Sequence, residues 1–320
     1  MALIRQRHLV KLVREVDVFI ARELAAELAK EEGFDAYDRS DIETAVSELC
    51  SNAIKYGERG WASLRLDDRG FEAAITDEGP GLGEAPPKSG LGVGLAGAKR
   101  LMDSMTIEQL PAGTRIRVTK HHPARLPSSA EWSVDAVARL RVGSSVSGDR
   151  FLAREDRGVL RVALVDGLGS GEHAAAAAIA VIDSLAASGP AEPLQEGVRR
   201  AHRAAAATRG AVALVVRVDP GRGVVEHVGI GDVSGVIGPG REPLMSRPGV
   251  LGIDEPPIEL CATRWTPGSR LVLWTDGIGR PDEDDLDIDD GDVDKAEEVA
   301  LRRGTERDDG TLLVASRRTR

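Results

Sequence analysis

"SELCSNAIKYG", residues 47–57, decides how the front of this 320-residue chain is read. At about 100° per residue, a helix through it brings Glu48, Asn52 and Lys55 within roughly 60° of one another. Ile42, Val46, Leu49 and Ala53 collect on the opposite side, so the pattern predicts a two-faced helix over 39–56. A polar stripe on one helix is ordinarily a solvated face. It acquires chemistry only when other segments bring partners to it.

Outward from that helix, periodicity predicts strands near 3–9, 61–66, 71–76, 105–109 and 114–120, with helices over 13–30 and 93–103. The stretch "HHPARLPSSAE", 121–131, is rich in Pro and Ser and has no period, which makes it a linker between a domain at 1–120 and a domain at 132–320. Beyond it come strands within 132–165, alanine-rich helices over 172–187 and 194–208, strands within 211–237 and at 270–275, a helix at 295–303 and a strand at 311–316. The class is α+β with two domains.

Composition removes several functions. The net charge of −10 opposes nucleic acid and acidic lipid as partners. Two cysteines, Cys50 and Cys261, are too few for a disulfide scaffold or a thiolate metal site. No apolar run approaches a membrane span and the first residues are broken by charge, so the expected location is cytoplasmic, with no membrane partner.

Three segments give the stripe partners. "TDEGPGLG" puts Asp77 at a strand end, followed by Gly79 and Gly81, which alone reads as a tight turn. "GVGLAG", 92–97, has dinucleotide-fingerprint spacing but neither a preceding strand nor a following ribose acid. Gly90, Gly92 and Gly94 instead precede or open a helix, where free N–H groups favour an anion. With "GTRIRV" from Gly113, this order of motifs resembles the Bergerat-fold (GHKL) ATPases, and within them the serine kinases that act as anti-sigma factors and stress switches. The resemblance covers nearly all of 1–120 and implies an α/β sandwich that binds ATP. On it, Asn52 gives an oxygen to Mg2+, Asp77 accepts from the adenine amino group with help from Thr114, Lys55 adds positive charge, and Glu48 takes the proton of a substrate serine. Only eight residues separate Gly81 from Gly90, fewer than the lid of these kinases, so a domain that senses nucleotide without transferring phosphate is the alternative.

In the back half, acids stand at strand ends and turns: Asp149 in "SGDR", Asp166 in "VALVDGLGSGE", Asp276 in "LVLWTDGIG", and Asp308 and Asp309 in "RDDGTLLV". Each alone reads as a turn residue. Acids abutting apolar strands, however, can converge on a hard, oxygen-liganded cation. These motifs, with "VGIGDVSGVIG" and "RPGVLGIDEP", resemble the Mg2+- or Mn2+-dependent serine/threonine phosphatases (PPM family) of bacterial sporulation and stress response, over about 133–315. The resemblance implies an αββα sandwich. It also implies metal ligation by Asp166, the Gly167 carbonyl, Asp276 and Asp308, with Asp149 as a weaker ligand or one shell out. Paired cations then activate a water for in-line attack on phosphoserine or phosphothreonine. His173 reads as a helix-end residue. The run "PDEDDLDIDDGDVD", 281–294, fails calcium-loop spacing and reads as a solvated insert, or as a loop near the site.

Together the two resemblances imply a signalling protein with both domains, acting on a phosphorylated anti-sigma-factor antagonist of the STAS type. The alternatives are a phosphatase governed by a noncatalytic nucleotide sensor, and an inactive anti-sigma-like binding module.

Overall fold

In the computed structural model, residues 3–57, 59–67, 69–79, 91–122, 130–187, 189, 192–238, 240–253, 256–288 and 293–318 are described. The chain forms two compact units. One comprises Gln6–Pro127 with Val142–Ser145; the other comprises Met1–Arg5, Ser128–Arg141 and Val146–Arg320. Among the described residues no helix is long and apolar enough to cross a membrane.

The front unit takes β1 (Leu3–Leu12) from Gln6 onward, then α1 (Glu15–Glu31) and α2 (Ala36–Tyr56). The hairpin β2 (Gly60–Asp67) and β3 (Gly70–Asp77), helix α3 (Leu91–Leu101), and strands β4 (Ser104–Gln109) and β5 (Thr114–His121) complete it. The sheet order is β1-β2-β3-β5-β4, antiparallel throughout. Both long helices start on acids. Asp17 Oδ2 accepts the N–H groups of Val13 and Arg14 at 3.0 and 2.8 Å. Asp35 Oδ1 accepts those of Tyr37 and Asp38 at 2.8 and 2.9 Å. The apolar side of α2 is the one its sequence indicates, with Ile42, Val46, Leu49 and Ala53 buried. Lys120 of β5 fastens the helices to the sheet: its Nζ lies 3.0 Å from carboxylate oxygens of Asp38 and Asp41 and donates to the Leu101 carbonyl at 2.9 Å.

The back unit runs β6 (Trp132–Arg139), β7 (Asp149–Asp156), β8 (Val159–Gly167), α4 (Glu172–Ala186), α5 (Leu194–Ala205), β9 (Ala211–Asp219) and β10 (Val224–Ile230). It continues through β11 (Ser234–Ile237), β12 (Glu242–Pro243), β13 (Ser246–Arg247), β14 (Cys261–Arg264), β15 (Arg270–Trp274), α6 (Val293–Arg303) and β16 (Gly310–Arg317). Within it the strands lie in the orders β12-β11-β15-β16-β6 and β13-β10-β9-β8-β7, with β14 beside β10. Strand β9 shows why this is a sandwich. Val212, Leu214, Val216 and Val218 point into the core between the sheets with Trp132, Leu271 and Leu313. The alternate residues Ala211, Ala213 and Val215 pack beneath α4 and α5 against Val181, Leu185 and Val198. Helix α6 lies against β6 and β16. The four layers are helix, sheet, sheet and helix, as the resemblance to the phosphatases implies.

The acidic run departs from the solvated insert expected of it. Asp285 is fully buried, and its carboxylate pairs with Arg302 and Arg303 of α6. Asp282 and Asp285 each accept the other's backbone N–H at 3.0 Å, and Ile288 is buried. Two guanidiniums from the following helix neutralise this end of the run and hold it against the fold. Asp289, Asp290 and Asp292 lie outside the described residues.

Candidate active site and nucleotide pocket

The acids of the back unit are brought to one place by strand ends. Asp149 opens β7 and Asp166 nearly closes β8, and the two stand directly opposite each other in the antiparallel ladder. Asp276 follows β15 and Asp308 precedes β16, which is its neighbour in the sheet. Close turns lock these ends. A Cβ on Gly277 would fall 1.7 Å from the Asp309 carbonyl oxygen, and one on Gly167 would fall 1.9 Å from that of Ala174, so both positions require glycine. Asp309, buried, accepts the backbone N–H groups of Arg141 and Gly148, each at 2.8 Å. It is a peg that joins the segment between β6 and β7 to the start of β16, whereas its neighbour Asp308 is half-buried and its charge acts on Asp149, Asp166 and Asp276.

Electrostatics follow from that convergence. Burial and then the charges of Asp149, Asp276, Asp308 and Asp232 push the Asp166 carboxyl up to about 9. Burial pushes Asp149 up to about 7, with Asp309 and Asp308 adding to the effect. Asp276 is raised by desolvation at its strand end, then by Asp232 and Asp308. Like charges this near one another are unfavourable unless a cation joins them. One oxygen of Asp149 is satisfied by the Thr275 hydroxyl at 2.8 Å, and the other, Oδ1, is buried with no partner. An orphaned buried carboxylate oxygen among oxygen donors is the chemistry that suits Mg2+ or Mn2+. Among the described residues no three His, Cys, Asp or Glu side chains close into a ready-made cage. His173 is the second residue of α4 and exposed.

One acid beside the site, Asp232, was not singled out in the sequence, and another, Asp309, was noted there without a role of its own. Asp232 acts on both Asp166 and Asp276, and its signal was present: it follows the apolar strand β10 through Gly231, the same strand-end placement as Asp166 and Asp276. Asp309 is the peg, and in sequence nothing separates it from Asp308.

In the front unit, Asp77 sits inside a ring of glycines. A Cβ on Gly57 would lie 2.4 Å from Asp77 Cβ, one on Gly79 would lie 3.1 Å from Asp77 Oδ1, and one on Gly113 would lie 1.7 Å from the Asp77 carbonyl oxygen. The Gly79 N–H donates to Asp77 Oδ1 at 2.9 Å, and buried Thr114 stands directly across from Asp77 on β5. On α2, Glu48 and Lys55 are exposed and Asn52 is half-buried. The first turn of α3 meets them: a Cβ on Gly94 would fall 2.7 Å from Glu48 Oε2 and 3.2 Å from Asn52 Nδ2, and that amide nitrogen is buried without a partner. Gly92 lies in the same turn of α3, while Gly81 and Gly90 lie outside the described residues. Missing side chains, an unpaired amide and a helix start form a cradle suited to a nucleotide.

These sites and folds define a metal-dependent protein serine/threonine phosphatase that also carries a histidine-kinase-like ATPase domain. Residues 13–120 match the histidine kinase-like ATPase domain family, and residues 156–318, just over half of the chain, match stage II sporulation protein E (SpoIIE). The chain belongs to the SpoIIE phosphatase family. It is 35% identical to the serine/threonine-protein kinase RsbT of Bacillus subtilis (strain 168) over 124 residues, 35% of this chain and 93% of that protein. It is 27% identical to the phosphoserine phosphatase RsbX of the same organism over 143 residues, 44% of this chain and 71% of that protein. A crystal structure of RsbX in complex with magnesium shares the fold, with a TM-score of 0.52 at 21% identity over 67% of this chain and 100% of that one.

Proposed function

We propose that Asp149, Asp166, the Gly167 carbonyl, Asp276 and Asp308 hold Mg2+ or Mn2+ and hydrolyse phosphoserine or phosphothreonine on an anti-sigma-factor antagonist of the STAS type. Bound there, the ions supply Lewis acidity and lower the pKa of water. The chain's own part is to fix the acids: the Asp309 peg, the Thr275 hydroxyl on Asp149 and the glycine-locked turns hold them on rigid strand ends. The observation that carries the reading is Asp149 facing Asp166 with one buried oxygen unpaired. Relatives in Bacillus subtilis named as a serine/threonine-protein kinase and a phosphoserine phosphatase support a phosphorylated protein as substrate. The test is release of phosphate from a phosphorylated antagonist in Mn2+. The reading predicts activity that Asp166→Ala abolishes; activity surviving that change would remove the assignment.

The domain at 1–120, joined through 121–131 to the domain at 132–320, binds ATP with Mg2+ in this reading. Asn52 faces the metal, Asp77 and Thr114 the adenine, Gly79, Gly81, Gly90, Gly92 and Gly94 the phosphates and the turns around them, and Lys55 adds charge. Glu48, on the exposed stripe beside Gly94, accepts the proton of a substrate serine during phosphate transfer. The eight residues between Gly81 and Gly90 favour a second reading, in which the domain senses nucleotide and transfers nothing. Labelled ATP separates the two: transfer to the antagonist that disappears in Glu48→Ala requires the kinase, and ATP binding without transfer requires the sensor.

A further inference from the structure

The turn between α5 and β9 lies against the loop that follows Asp166. The Leu168 N–H donates to the Gly210 carbonyl at 2.9 Å. Thr208 stiffens the turn, its hydroxyl donating to the Ala205 carbonyl at 2.7 Å and accepting from the Gly210 N–H at 3.1 Å. Arg209 projects from this turn. A Cβ on Gly169 would lie 3.0 Å from Arg209 Nη1, so the guanidinium lies over the loop only three residues beyond Asp166. Arg209 is exposed and has no hydrogen-bond or ion-pair partner among the described residues.

Beside it stands an apolar neighbour. A Cβ on Gly210 would lie 3.1 Å from Ile253 Cγ1, and Ile253 is 56% exposed. The two residues before Ile253 are tied down: Leu251 and Ala211 exchange backbone hydrogen bonds at 2.8 and 3.0 Å, and the Gly252 N–H donates to His202 Nδ1 at 3.1 Å. Among the described residues, a cation without a partner and an exposed aliphatic side chain thus stand together beside the loop that follows Asp166.

We propose that Arg209 binds the phosphate of the phosphoserine or phosphothreonine substrate and that Ile253 contacts an apolar residue flanking it. The proposal rests on the phosphatase site assigned above. The Arg209 guanidinium, carried by the α5–β9 turn, lies against Gly169 of the loop that follows Asp166, and its planar fork matches two phosphate oxygens. No proton or bond changes hands at Arg209; it is a binding residue that acts before and after the chemical step.

The test uses the full chain loaded with Mn2+, a phosphoserine peptide with apolar neighbours, p-nitrophenyl phosphate, and inorganic phosphate as a binding probe read by calorimetry. Arg209→Ala is expected to raise the peptide KM and the phosphate Kd about tenfold, as loss of a charged hydrogen bond does. Its kcat and Mn2+ affinity stay near those of the parent, and Arg209→Lys restores part of the loss. Ile253→Ser raises KM for the peptide and leaves p-nitrophenyl phosphate unaffected. An unchanged KM and phosphate Kd in Arg209→Ala, or a loss confined to Mn2+ affinity, would overturn the proposal. Failure of the parent to hydrolyse p-nitrophenyl phosphate would overturn the acid-site assignment instead, while phosphate binding still reports on Arg209 without turnover.

Discussion

Thr275 Oγ1 donates to Asp149 Oδ2 at 2.8 Å and itself accepts the Thr311 N–H at 2.8 Å. One hydroxyl therefore links the buried acid of β7 to the β15–β16 pair. Thr275→Val keeps the shape and removes both bonds. It should cost about 1–3 kcal/mol in urea unfolding, with weaker Mn2+ binding measured by calorimetry.

Asp308 and Asp309 are adjacent and should behave in opposite ways. Asp309→Ala strands two backbone donors, those of Arg141 and Gly148, and should cost roughly 2–4 kcal/mol of stability. Asp308→Ala should leave the unfolding midpoint close to that of the parent and abolish Mn2+-dependent hydrolysis. A stable, inactive Asp309→Ala would reverse the assignment of the two.

Acidity of the site gives a pH signature without metal. The Asp166 carboxyl is raised from the usual 3.8 to about 9, so the unfolded chain releases that proton at lower pH than the folded one does. Stability from this group is therefore intact below the unfolded value and falls as pH rises toward the folded one. In chelator, thermal melting of the parent should decline between about pH 5 and pH 9 more steeply than that of Asp166→Asn. Parallel curves would mean that Asp166 ionises normally.

Gly94→Ala tests the nucleotide cradle. The added methyl meets Glu48 Oε2 and Asn52 Nδ2, so ATP affinity should fall about tenfold in a fluorescence titration, roughly 1.4 kcal/mol. The helix itself favours Ala over Gly, so any loss of binding cannot be ascribed to unfolding of α3.

Burial pushes the Cys50 thiol up to about 12, which leaves it protonated at neutral pH. Iodoacetamide at pH 8 should modify half-buried Cys261 and spare Cys50 until the protein is denatured, as read by mass spectrometry.

Much of this architecture was legible because burial writes a period into sequence. The two-faced helix of 36–56 shows the face it buries, and the continuous apolar run of 211–219 shows a strand covered on both sides. What escaped has no period. Strands β12 and β13 are two residues long, too short for alternation to register. The burial of Asp285 depends on Arg302 and Arg303, which come from a helix whose approach no local pattern announces. In the acid site, strand-end placement marked Asp166, Asp276 and Asp308. The difference between Asp308 and Asp309 arises only in the fold, since it turns on which side chain meets the N–H groups of Arg141 and Gly148.

The ring of glycines around Asp77 also bears on how this pocket can drift under mutation. Gly57 and Gly113 border Asp77 at separations that exclude a methyl group, and at Gly79 the Tyr56 carbonyl oxygen does the same. Random substitution there removes the pocket wall before it can adjust a preference. If the pocket takes a nucleotide as proposed, its affinity is retuned at positions outside this ring and not within it.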